Sequence, residues 1–336
     1  MAHSINQSCV RIFAVIALYK MQPSASAALR TLLAAIPPLQ NGEAEIKILL
    51  YDNTPGGQTV GLLPSGVEYK ANPENGALSA ACNYALKIAR EDGFEWLLTL
   101  NQDTTLPIDF LCKVSHAARF VATMHEVAGI VPSISSEGRV VSPFTVMKYW
   151  TFTRHLPQGF VGIPLQDVYA ANSASTIKVS ALMAIGGFDP RFPLDMVDFD
   201  VNYRLHRQNL RFLVAGNIHV ELELSNLDLK TRSTSSRYKE YLGAEELFCD
   251  EYLGRIMSMV VVLKLIYRLG YKLWRNGGSY PYYEIGLIFL CRRLFCSRKH
   301  RMATSRQAIR GPLGCKGGAL IDSDHQVISA GRRIIT

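Results

Sequence analysis

Three short groups of acidic and amide residues in this sequence have the types and spacing that chemistry on a polar substrate requires. Asp52-Asn53 and Asn101-Gln-Asp103 each follow a short apolar run, and Asp198 and Asp200 lie further along the chain. A carboxylate can bind a hard divalent cation or take a proton from a hydroxyl, and an amide can hydrogen-bond a nucleobase or a ribose. These groups are the candidate site residues.

The first two groups also have structural interpretations that the sequence leaves open. Asp52 can cap the turn before Pro55-Gly-Gly57, because aspartate side chains often hydrogen-bond the backbone two residues further on. Asp103 can cap a helix, since aspartate is a preferred residue at helix N-termini. As a cation ligand, one aspartate in a cleft would suit Mg²⁺ or Mn²⁺, which fill their other positions with water and phosphate oxygens.

The third group separates a candidate base from a candidate ion pair. Asp200 and Arg204 are four residues apart and share a helix face, so a solvated salt bridge is expected between them. Asp198 points elsewhere on the helix and is therefore the candidate general base. His219, which follows a strand-like run, is interpreted either as a further cation ligand or proton relay or as a structural histidine.

The first half of the chain must position the first two groups, and it alternates strand and helix patterns. The predicted strands are residues 13–18, 45–51, 67–69 and 94–100, and the predicted helices are residues 24–33 and 77–90. Such alternation indicates a mostly parallel sheet with right-handed crossovers, in which ligands bind beyond the carboxyl ends of the strands. Asp52 and Asp103 both fall at such ends.

The middle of the chain continues this pattern and carries the third group. Predicted strands cover residues 128–131, 168–171 and 212–214, and a helix is predicted at residues 178–185. After the turn at residues 186–190, a second helix is predicted to begin near Asp195 and to hold Asp198. No internal repeat interrupts the pattern before residue 230.

Composition and motifs restrict the class of protein. The chain has 336 residues, of which 48% are hydrophobic and 19% charged, so it can bury a core, either as one large α/β domain with an extension or as two modest domains. No Gly-x-Gly-x-x-Gly or phosphate-binding loop follows the first strand, which disfavours a dehydrogenase or a nucleotide-hydrolysing motor. No zinc-finger or helix-turn-helix signature is present, which disfavours nucleic acid as a partner. The seven scattered cysteines indicate reduced thiols in the cytosol.

Basic charge is concentrated near the C-terminus. Between Arg255 and Arg310 there are twelve Lys or Arg residues and one acid, Glu284. A stripe of cations at helical spacing (Lys264, Arg268, Lys272, Arg275) has apolar residues around it, which is typical of a helix lying on an anionic membrane surface. The open alternative is that these helices pack on the catalytic domain or on a partner subunit.

The rest of the chain predicts neither a signal peptide nor a spanning helix. The apolar run at residues 10–19 is interrupted by Arg11 and lacks a cleavage-type site, so it is interpreted as a buried strand. No run reaches the roughly 20 apolar residues that a spanning helix needs. We therefore expect a cytoplasmic protein, associated peripherally with the inner face of the cell membrane.

Five motifs in order resemble the family-two glycosyltransferases, and within them the bacterial rhamnosyltransferase-like branch. The resemblance runs from about residue 11 to residue 224. The motifs are Asp52-Asn53, the segment from Asn72 to Asn83, Asn101-Gln-Asp103, the block from Ile185 to Phe192, and the block from Asp195 to Arg204.

This resemblance implies a GT-A type nucleotide-sugar-binding fold with a mostly parallel sheet, and the spacing of charges near the C-terminus adds amphipathic helices after it. It implies an inverting transfer of a sugar, with rhamnose as the candidate, from a nucleotide-diphosphate donor to a glycan or lipid-linked acceptor in cell-surface polysaccharide synthesis, such as O-antigen. Asp198 would be the general base, and Asp103 with His219 would hold Mg²⁺ or Mn²⁺. The nucleotide-binding residues would be Asp52, Asn53, Asn75, Asn83 and Asn101.

Two other classes and a domain division complete the expectations. A homologue that binds nucleotide sugar or glycan without transfer stays open, because Asn101 and Val197 stand where the family often has acids. A sugar nucleotidyltransferase should have a Gly-rich basic loop after its first strand, which residues 19–23 are not. The predicted units are a catalytic domain at 1–230, a helical basic membrane-association extension at 231–310 and a loose tail at 311–336.

Overall fold

The computed structural model of the chain describes residues 9–39, 43–146, 153–222, 235–276 and 283–302. Within these residues a central sheet has helices on both faces, and three further helices follow it. The strands are β1 (Val10–Leu18), β2 (Ala44–Asp52), β3 (Val67–Ala71), β4 (Trp96–Asn101), β5 (Thr104–Thr105), β6 (Val127–Ser136), β7 (Arg139–Ser142), β8 (Phe144–Val146), β9 (Thr153–His155), β10 (Val161–Gly162), β11 (Val168–Tyr169), β12 (Ser175–Lys178) and β13 (Arg211–Leu222).

The helices connect and then follow these strands. They are α1 (Ala27–Ala34), α2 (Ala77–Glu91), α3 (Phe110–Phe120), α4 (Val179–Ala184), α5 (Val197–Arg207), α6 (Ser235–Tyr252), α7 (Gly254–Asn276) and α8 (Tyr283–Phe295). A short 3₁₀ turn, Pro23–Ala25, precedes α1.

The central sheet has the order β10-β13-β6-β12-β4-β1-β2-β3. Strands β3, β2, β1 and β4 are parallel neighbours, and β13 is parallel to β6. Strand β12 is antiparallel to both of its neighbours, β4 and β6. Strands β5 and β7 pair at the side with β13 and β6, and β11, β8 and β9 form a separate small sheet. The predicted mostly parallel α/β sheet is therefore confirmed.

Apolar side chains on the two faces of the sheet fill two cores. In β1, Phe13 and Val15 point into the core under α2, α4 and α5, whereas Ile12 and Ile16 point into the core under α1 and α3. A parallel strand covered on both faces is buried along its whole length, so its sequence is a continuous apolar run. This explains why the first strands could be recognised from sequence.

Strand β12 and helix α3 are two of the elements that have no counterpart among the sequence predictions. Strand β12 lies between β4 and β6, where Gly129 of β6 allows close approach: a Cβ at that position would lie 2.8 Å from the carbonyl oxygen of Thr176. Helix α3 packs on the α1 side of the sheet through Phe110, Leu111 and Val114. The predicted strand at 168–171 is shorter than expected and pairs in the small sheet.

The C-terminal helices pack against the rest of the protein and against one another. Helix α6 adds Leu247 and Phe248 to the core under α2 and α5. Helices α6, α7 and α8 share a smaller core that includes Leu242, Leu265 and Phe289. Among the described residues, no helix combines the length and the apolar character needed to cross a membrane. The predicted loose tail at 311–336 and the boundary at 230 lie outside the described residues.

Candidate active site

The carboxyl ends of β1, β2 and β4 meet at one edge of the sheet. Just after β1, the backbone N–H of Tyr19 donates to the side-chain oxygen of Gln102, at 2.8 Å. The next N–H, of Lys20, donates to the hydroxyl of Thr54 after β2, also at 2.8 Å. The first two predicted groups therefore lie at the same edge, as expected for a parallel sheet.

Asp52 is buried at this edge, with only 1% of its surface exposed. Its Oδ1 accepts hydrogen bonds from the N–H and the hydroxyl of Thr54, at 2.9 and 2.6 Å, and its Oδ2 accepts one from the Tyr69 hydroxyl, at 2.6 Å. Burial disfavours the charged form, but hydrogen bonds from Thr54, Tyr69 and Gln58 outweigh it and lower the pKa of Asp52. The turn-capping interpretation is thus observed, on a carboxylate that stays ionised.

The asparagines after β2 and β3 hold the loop that enters α2. The Asn53 side chain donates to the carbonyl oxygen of Ala77, at 3.0 Å, and accepts from Asn72, at 3.3 Å. The Asn75 side chain accepts from the N–H of Ala77, at 3.2 Å. Asn75 and Ala77 both have left-handed backbone, with φ of 52° and 55°. Non-glycine residues adopt this conformation only when their surroundings hold it.

Asn83 links α2 to the turn before α5. Its side chain donates to the carbonyl oxygen of Phe188, at 2.7 Å, and accepts from the N–H of the same residue, at 2.9 Å. Both bonds are buried. The structure therefore gives Asn83 a positioning contact, and its predicted contact with a nucleotide stays a prediction.

Asp103 lies just beyond β4 and is partly buried. The preceding residue, Gln102, is fixed by the Ser26 hydroxyl, which donates to its carbonyl oxygen at 2.9 Å. Asp103 is followed by the short strand β5, and the residue before helix α3 is Asp109. No helix begins in the residues directly after Asp103, so it does not cap a following helix.

Ser173 supports the residues on either side of Asp103. Its hydroxyl accepts from the N–H of Asn101, at 3.0 Å, and shares a hydrogen bond of 2.5 Å with the hydroxyl of Thr104. The next N–H along, of Ala174, donates to the carbonyl oxygen of Thr99, at 2.7 Å. The segment that enters β12 therefore fixes the loop that carries Asp103.

Asp198 lies in the first turn of α5. Its Oδ1 accepts the N–H of Phe199, at 2.9 Å. The pKa of Asp198 is raised to about 6: burial is the main cause, backbone hydrogen bonds oppose it, and the nearby negative charge of Asp195 adds to it. A carboxylate with a pKa near 6 is ionised at neutral pH and is still basic enough to accept a proton.

Asp200 and Arg204 form the expected i,i+4 ion pair, but the prediction that it is solvated is wrong. Asp200 is fully buried. It also accepts a hydrogen bond from the Tyr252 hydroxyl, at 2.6 Å. Arg204 donates to the carbonyl oxygens of Ile185 and Gly187, at 2.6 and 2.8 Å. Because α6 and the preceding turn cover this face of α5, the pair is part of the core.

One chain segment supports both Asp198 and Asp103. The side chain of Asn202 in α5 donates to the carbonyl oxygen of Ala170, at 2.8 Å. Three residues later the same segment reaches Ser173, which holds the residues around Asp103. The helix that carries Asp198 and the loop that carries Asp103 are therefore fixed to opposite ends of a stretch of four residues.

His219 is exposed on β13, where it pairs with Ser133 of β6. The same strand pairs Leu222 with Thr104, the residue after Asp103. Among the described ranges, no three His, Cys, Asp or Glu side chains cluster closely enough to hold a metal ion. The cation-ligand prediction for His219 stays a prediction.

The sequence does not predict the contacts that Ser173 makes, the Asp195–Arg237 ion pair or the contact of Tyr252. Ser173 touches residues about 70 positions earlier, and Arg237 and Tyr252 touch residues about 40 to 50 positions earlier. The basic and aromatic segment at residues 236–241 is a signal in the sequence that lies within α6.

Comparisons with known proteins complete this description. No protein-family model matches the sequence, and no curated protein does. The chain is similar in structure to S. aureus TarS 1-349, with a TM-score of 0.50, 11% identity, and coverage of 90% of this chain and 89% of that chain. The same TarS fragment in complex with UDP gives 0.49, 12%, 90% and 89%. GalNAc-T7 with UDP, GalNAc and Mn²⁺ gives 0.49, 15%, 92% and 59%.

The likeness to TarS at 11% identity bears on the fold alone. It agrees with the predicted GT-A type α/β fold, which is thereby confirmed. This likeness assigns neither the individual site residues nor the activity of this chain.

Proposed function

We propose that this chain is an inverting, metal-dependent glycosyltransferase. It moves a sugar, with rhamnose as the candidate, from a nucleotide-diphosphate donor to a glycan or lipid-linked acceptor in cell-surface polysaccharide synthesis, such as O-antigen. The observation that carries this proposal is the shared support of Asp103 and Asp198 by residues 170–173. This shared support is the reason for proposing that the candidate cation ligand and the candidate base act in one cleft beside the carboxyl edge of the sheet.

The donor nucleotide would lie along that edge. Asp52, Asn53, Asn75, Asn83 and Asn101 are proposed to bind or frame it. Asp52 supports this role because it is ionised and held in place by Thr54 and Tyr69. A fixed carboxylate can accept hydrogen bonds from a nucleobase or a ribose without paying to order itself.

The donor set at the edge suits a cation that keeps water and phosphate among its ligands. Asp103 supplies one partly buried carboxylate, and the described residues contain no cluster of three protein ligands. Mg²⁺ and Mn²⁺ bind nucleotide phosphates through one or two carboxylates, so the residues fit such an ion. When bound, it neutralises charge on the departing diphosphate. His219 is proposed as a second protein ligand of this cation.

Asp198 would act as the general base. Its carboxylate takes the proton of the acceptor hydroxyl while that oxygen forms a bond to the anomeric carbon of the sugar. The bond from the anomeric carbon to the phosphate oxygen breaks on the opposite face, and the nucleoside diphosphate leaves with the electron pair. Attack from the face opposite the leaving group inverts the configuration.

A thermal-shift panel of nucleotide sugars, with and without Mn²⁺, tests the donor and the cation together. A ligand that binds only the folded state raises the melting temperature as its occupancy increases. We expect one donor class to do so in a Mn²⁺-dependent manner, and Asp103→Ala to abolish that dependence. Asp198→Asn should keep donor binding and lose transfer. Loss of donor binding in a folded Asp198→Asn protein would contradict the role of base.

Binding without transfer is the alternative that the residues at 101 and 197 favour. Asn101 has an amide instead of a carboxylate next to the proposed cation site. Val197, next to the proposed base, has a buried apolar side chain that carries no charge. The two functions differ in donor hydrolysis. Slow release of nucleoside diphosphate in Mn²⁺, lost in Asp103→Ala, supports the enzyme, and saturable donor binding with no turnover supports the binding protein.

We also propose that the C-terminal helices bind an anionic membrane surface at the inner face of the cell membrane. Helix α7 buries Leu265 and Leu269 against α6 and α8, so packing on the protein accounts for one face. On the other side Met259, Tyr267 and Trp274 are 70%, 71% and 82% exposed. Aromatic residues with a polar edge suit the membrane interface, and the excess of cations between residues 255 and 310 suits anionic lipid.

Vesicle co-sedimentation tests this surface. The full chain should bind vesicles containing phosphatidylglycerol and not vesicles of phosphatidylcholine alone, and Trp274→Ala with Tyr267→Ala should weaken binding. The matched control is Phe120→Ala, which removes an exposed aromatic ring from α3. Equal binding of all variants, or self-association that the double variant abolishes, would contradict the membrane assignment.

A further inference from the structure

Helix α6 contacts the chain on both sides of Asp198. On the N-terminal side, Arg237 pairs with Asp195. On the C-terminal side, the Tyr252 hydroxyl donates to Asp200 at 2.6 Å. The two contacts come from opposite ends of α6, so this one helix spans the segment that holds the proposed base.

The Arg237–Asp195 pair is bidentate. One guanidinium nitrogen, Nη2, donates to Oδ1 of Asp195 at 2.7 Å, and Nη1 donates to Oδ2. The Asp195 side chain is 9% exposed, so solvent screens the pair only in part. A two-point contact between planar groups fixes orientation as well as distance, which a single charge contact does not.

Between this pair and Asp198 the backbone takes an unusual conformation. Met196 has left-handed backbone with φ of 60°, and its carbonyl oxygen accepts the N–H of Asp200 at 2.9 Å to start α5. A left-handed non-glycine residue persists only where its neighbours hold it. The ion pair between Arg237 and Asp195 therefore holds the residue directly before Met196. Met196 in turn sets the direction of the first turn of α5.

We propose that Arg237 is a positioning residue for Asp198, which it orients and whose electrostatic surroundings it sets through its ion pair with Asp195. This inference rests on the proposed role of Asp198 as general base. It deepens that role by assigning part of the catalytic arrangement to α6, a helix outside the predicted catalytic domain.

The surrounding charges support the electrostatic part of this role. Burial is the main cause of the raised pKa of Asp198, and the charge of Asp195 adds to it. Arg237 faces Asp195 from α6, and Arg204 with Tyr252 faces Asp200. Loss of the Arg237 charge leaves Asp195 uncompensated beside Asp198, and loss of the Asp195 charge removes that repulsion.

The test measures the pKa of the Asp198 carboxyl by ¹³C NMR on the full chain, with the signal assigned from its absence in Asp198→Asn. We expect the pKa of Asp198 to rise in Arg237→Met and to fall in Asp195→Asn. Arg237→Lys keeps the charge but loses the two-point contact, so it should leave the pKa nearly unchanged while kcat falls about tenfold to a hundredfold.

Glu251→Gln is the matched control, because it breaks a different contact of α6, the 3.1 Å ion pair with Arg191. It should leave the pKa of Asp198 unchanged. An unchanged pKa in both Arg237→Met and Asp195→Asn overturns the proposal. If Arg237→Met does not fold, the isosteric Asp195→Asn decides alone. If the pKa of Asp198 changes as predicted but the chain has no transfer activity, the positioning role of Arg237 stands and the proposed function is refuted.

Discussion

At the scale of single residues, three aspartates within six positions have three different environments. Asp195 and Asp200 each have an arginine partner. Asp198 has no ion pair among the residues that the structure describes, and it lies in the first turn of a helix, where the backbone favours a negative charge. Of the three carboxylates, Asp198 is the one left able to take a proton.

Asp198→Asn should stabilise the protein at alkaline pH. The pKa of Asp198 is about 6 in the folded protein, against an ordinary value near 4, so folding favours its protonated form. The wild-type stability therefore falls as the pH rises from about 4 through 6, and the asparagine variant escapes this loss. Chemical denaturation at pH 8 should show a gain of about 1–3 kcal/mol, and at pH 3 almost none.

Asp200→Asn is the control for that measurement. Burial raises the pKa of Asp200 too, but its contact with Arg204 opposes this effect. Without the carboxylate, Arg204 would lose a buried counter-charge, so this variant should lose about 3–5 kcal/mol at pH 8. A stabilised Asp200→Asn, or an Asp198→Asn gain that is independent of pH, would contradict the assigned environments. The same carboxyl should also govern rate, so kcat/KM should increase with pH through about 6.

At the scale of elements, the start of α2 depends on a close approach at Gly76. A Cβ there would lie 2.8 Å from the side-chain amide nitrogen of Asn72 and closer to the Ala80 Cβ than van der Waals contact allows. Ala80 is part of the helix and cannot rotate away. Gly76→Ala should therefore cost about 1–3 kcal/mol and weaken donor binding, because it displaces the loop that carries Asn75.

Gly61→Ala provides the comparison for α2. Nothing lies within 4 Å of a Cβ at this position, so the substitution should be neutral or slightly stabilising. Urea denaturation of both variants and titration with the donor identified by thermal shift would measure the difference. Equal stabilities would show that the helix start tolerates a side chain.

Elements with a clear apolar pattern in their own sequence could be predicted from it. Elements that form only because neighbouring strands bind them could not. Strands β1 and β4, and the second half of β2, are apolar runs covered on both faces. Strand β12 has only four residues, Ser175–Lys178, and exists because β4 and β6 bind it on both sides. Helix α3 is different, since its buried residues do have helical spacing, and this signal was present in the sequence.

The candidate site divides in the same way. Asp52, Asp103 and Asp198 could be proposed because strand ends and helix starts are local features. The contacts that fix them could not, because Ser173 and Arg237 reach their partners only after the chain has folded. The Asp200–Arg204 pair is buried because α6 covers it. The sequence around the pair does not predict this contact.

At the scale of the whole molecule, α6 joins the C-terminal helices to the sheet. Its Leu247 and Phe248 belong to the core that also contains Phe192. Further along, Arg301 donates to both oxygens of the buried Asp250, at 2.9 Å each, so the segment after α8 is also attached to α6. The predicted division near residue 230 therefore separates residues that share a core.

A chain that ends at residue 234 should consequently fail to fold cooperatively. It lacks Leu247 and Phe248, and loss of one buried phenylalanine side chain alone costs about 3–5 kcal/mol, out of a typical total stability of about 5–15 kcal/mol. A chain that ends at residue 302 keeps every described helix, and we expect it to unfold in one sharp transition, as we expect of the full chain. Calorimetry and circular dichroism would measure both. A sharp transition of the shorter chain near the melting temperature of the longer one would show instead that residues 1–234 are a self-sufficient domain.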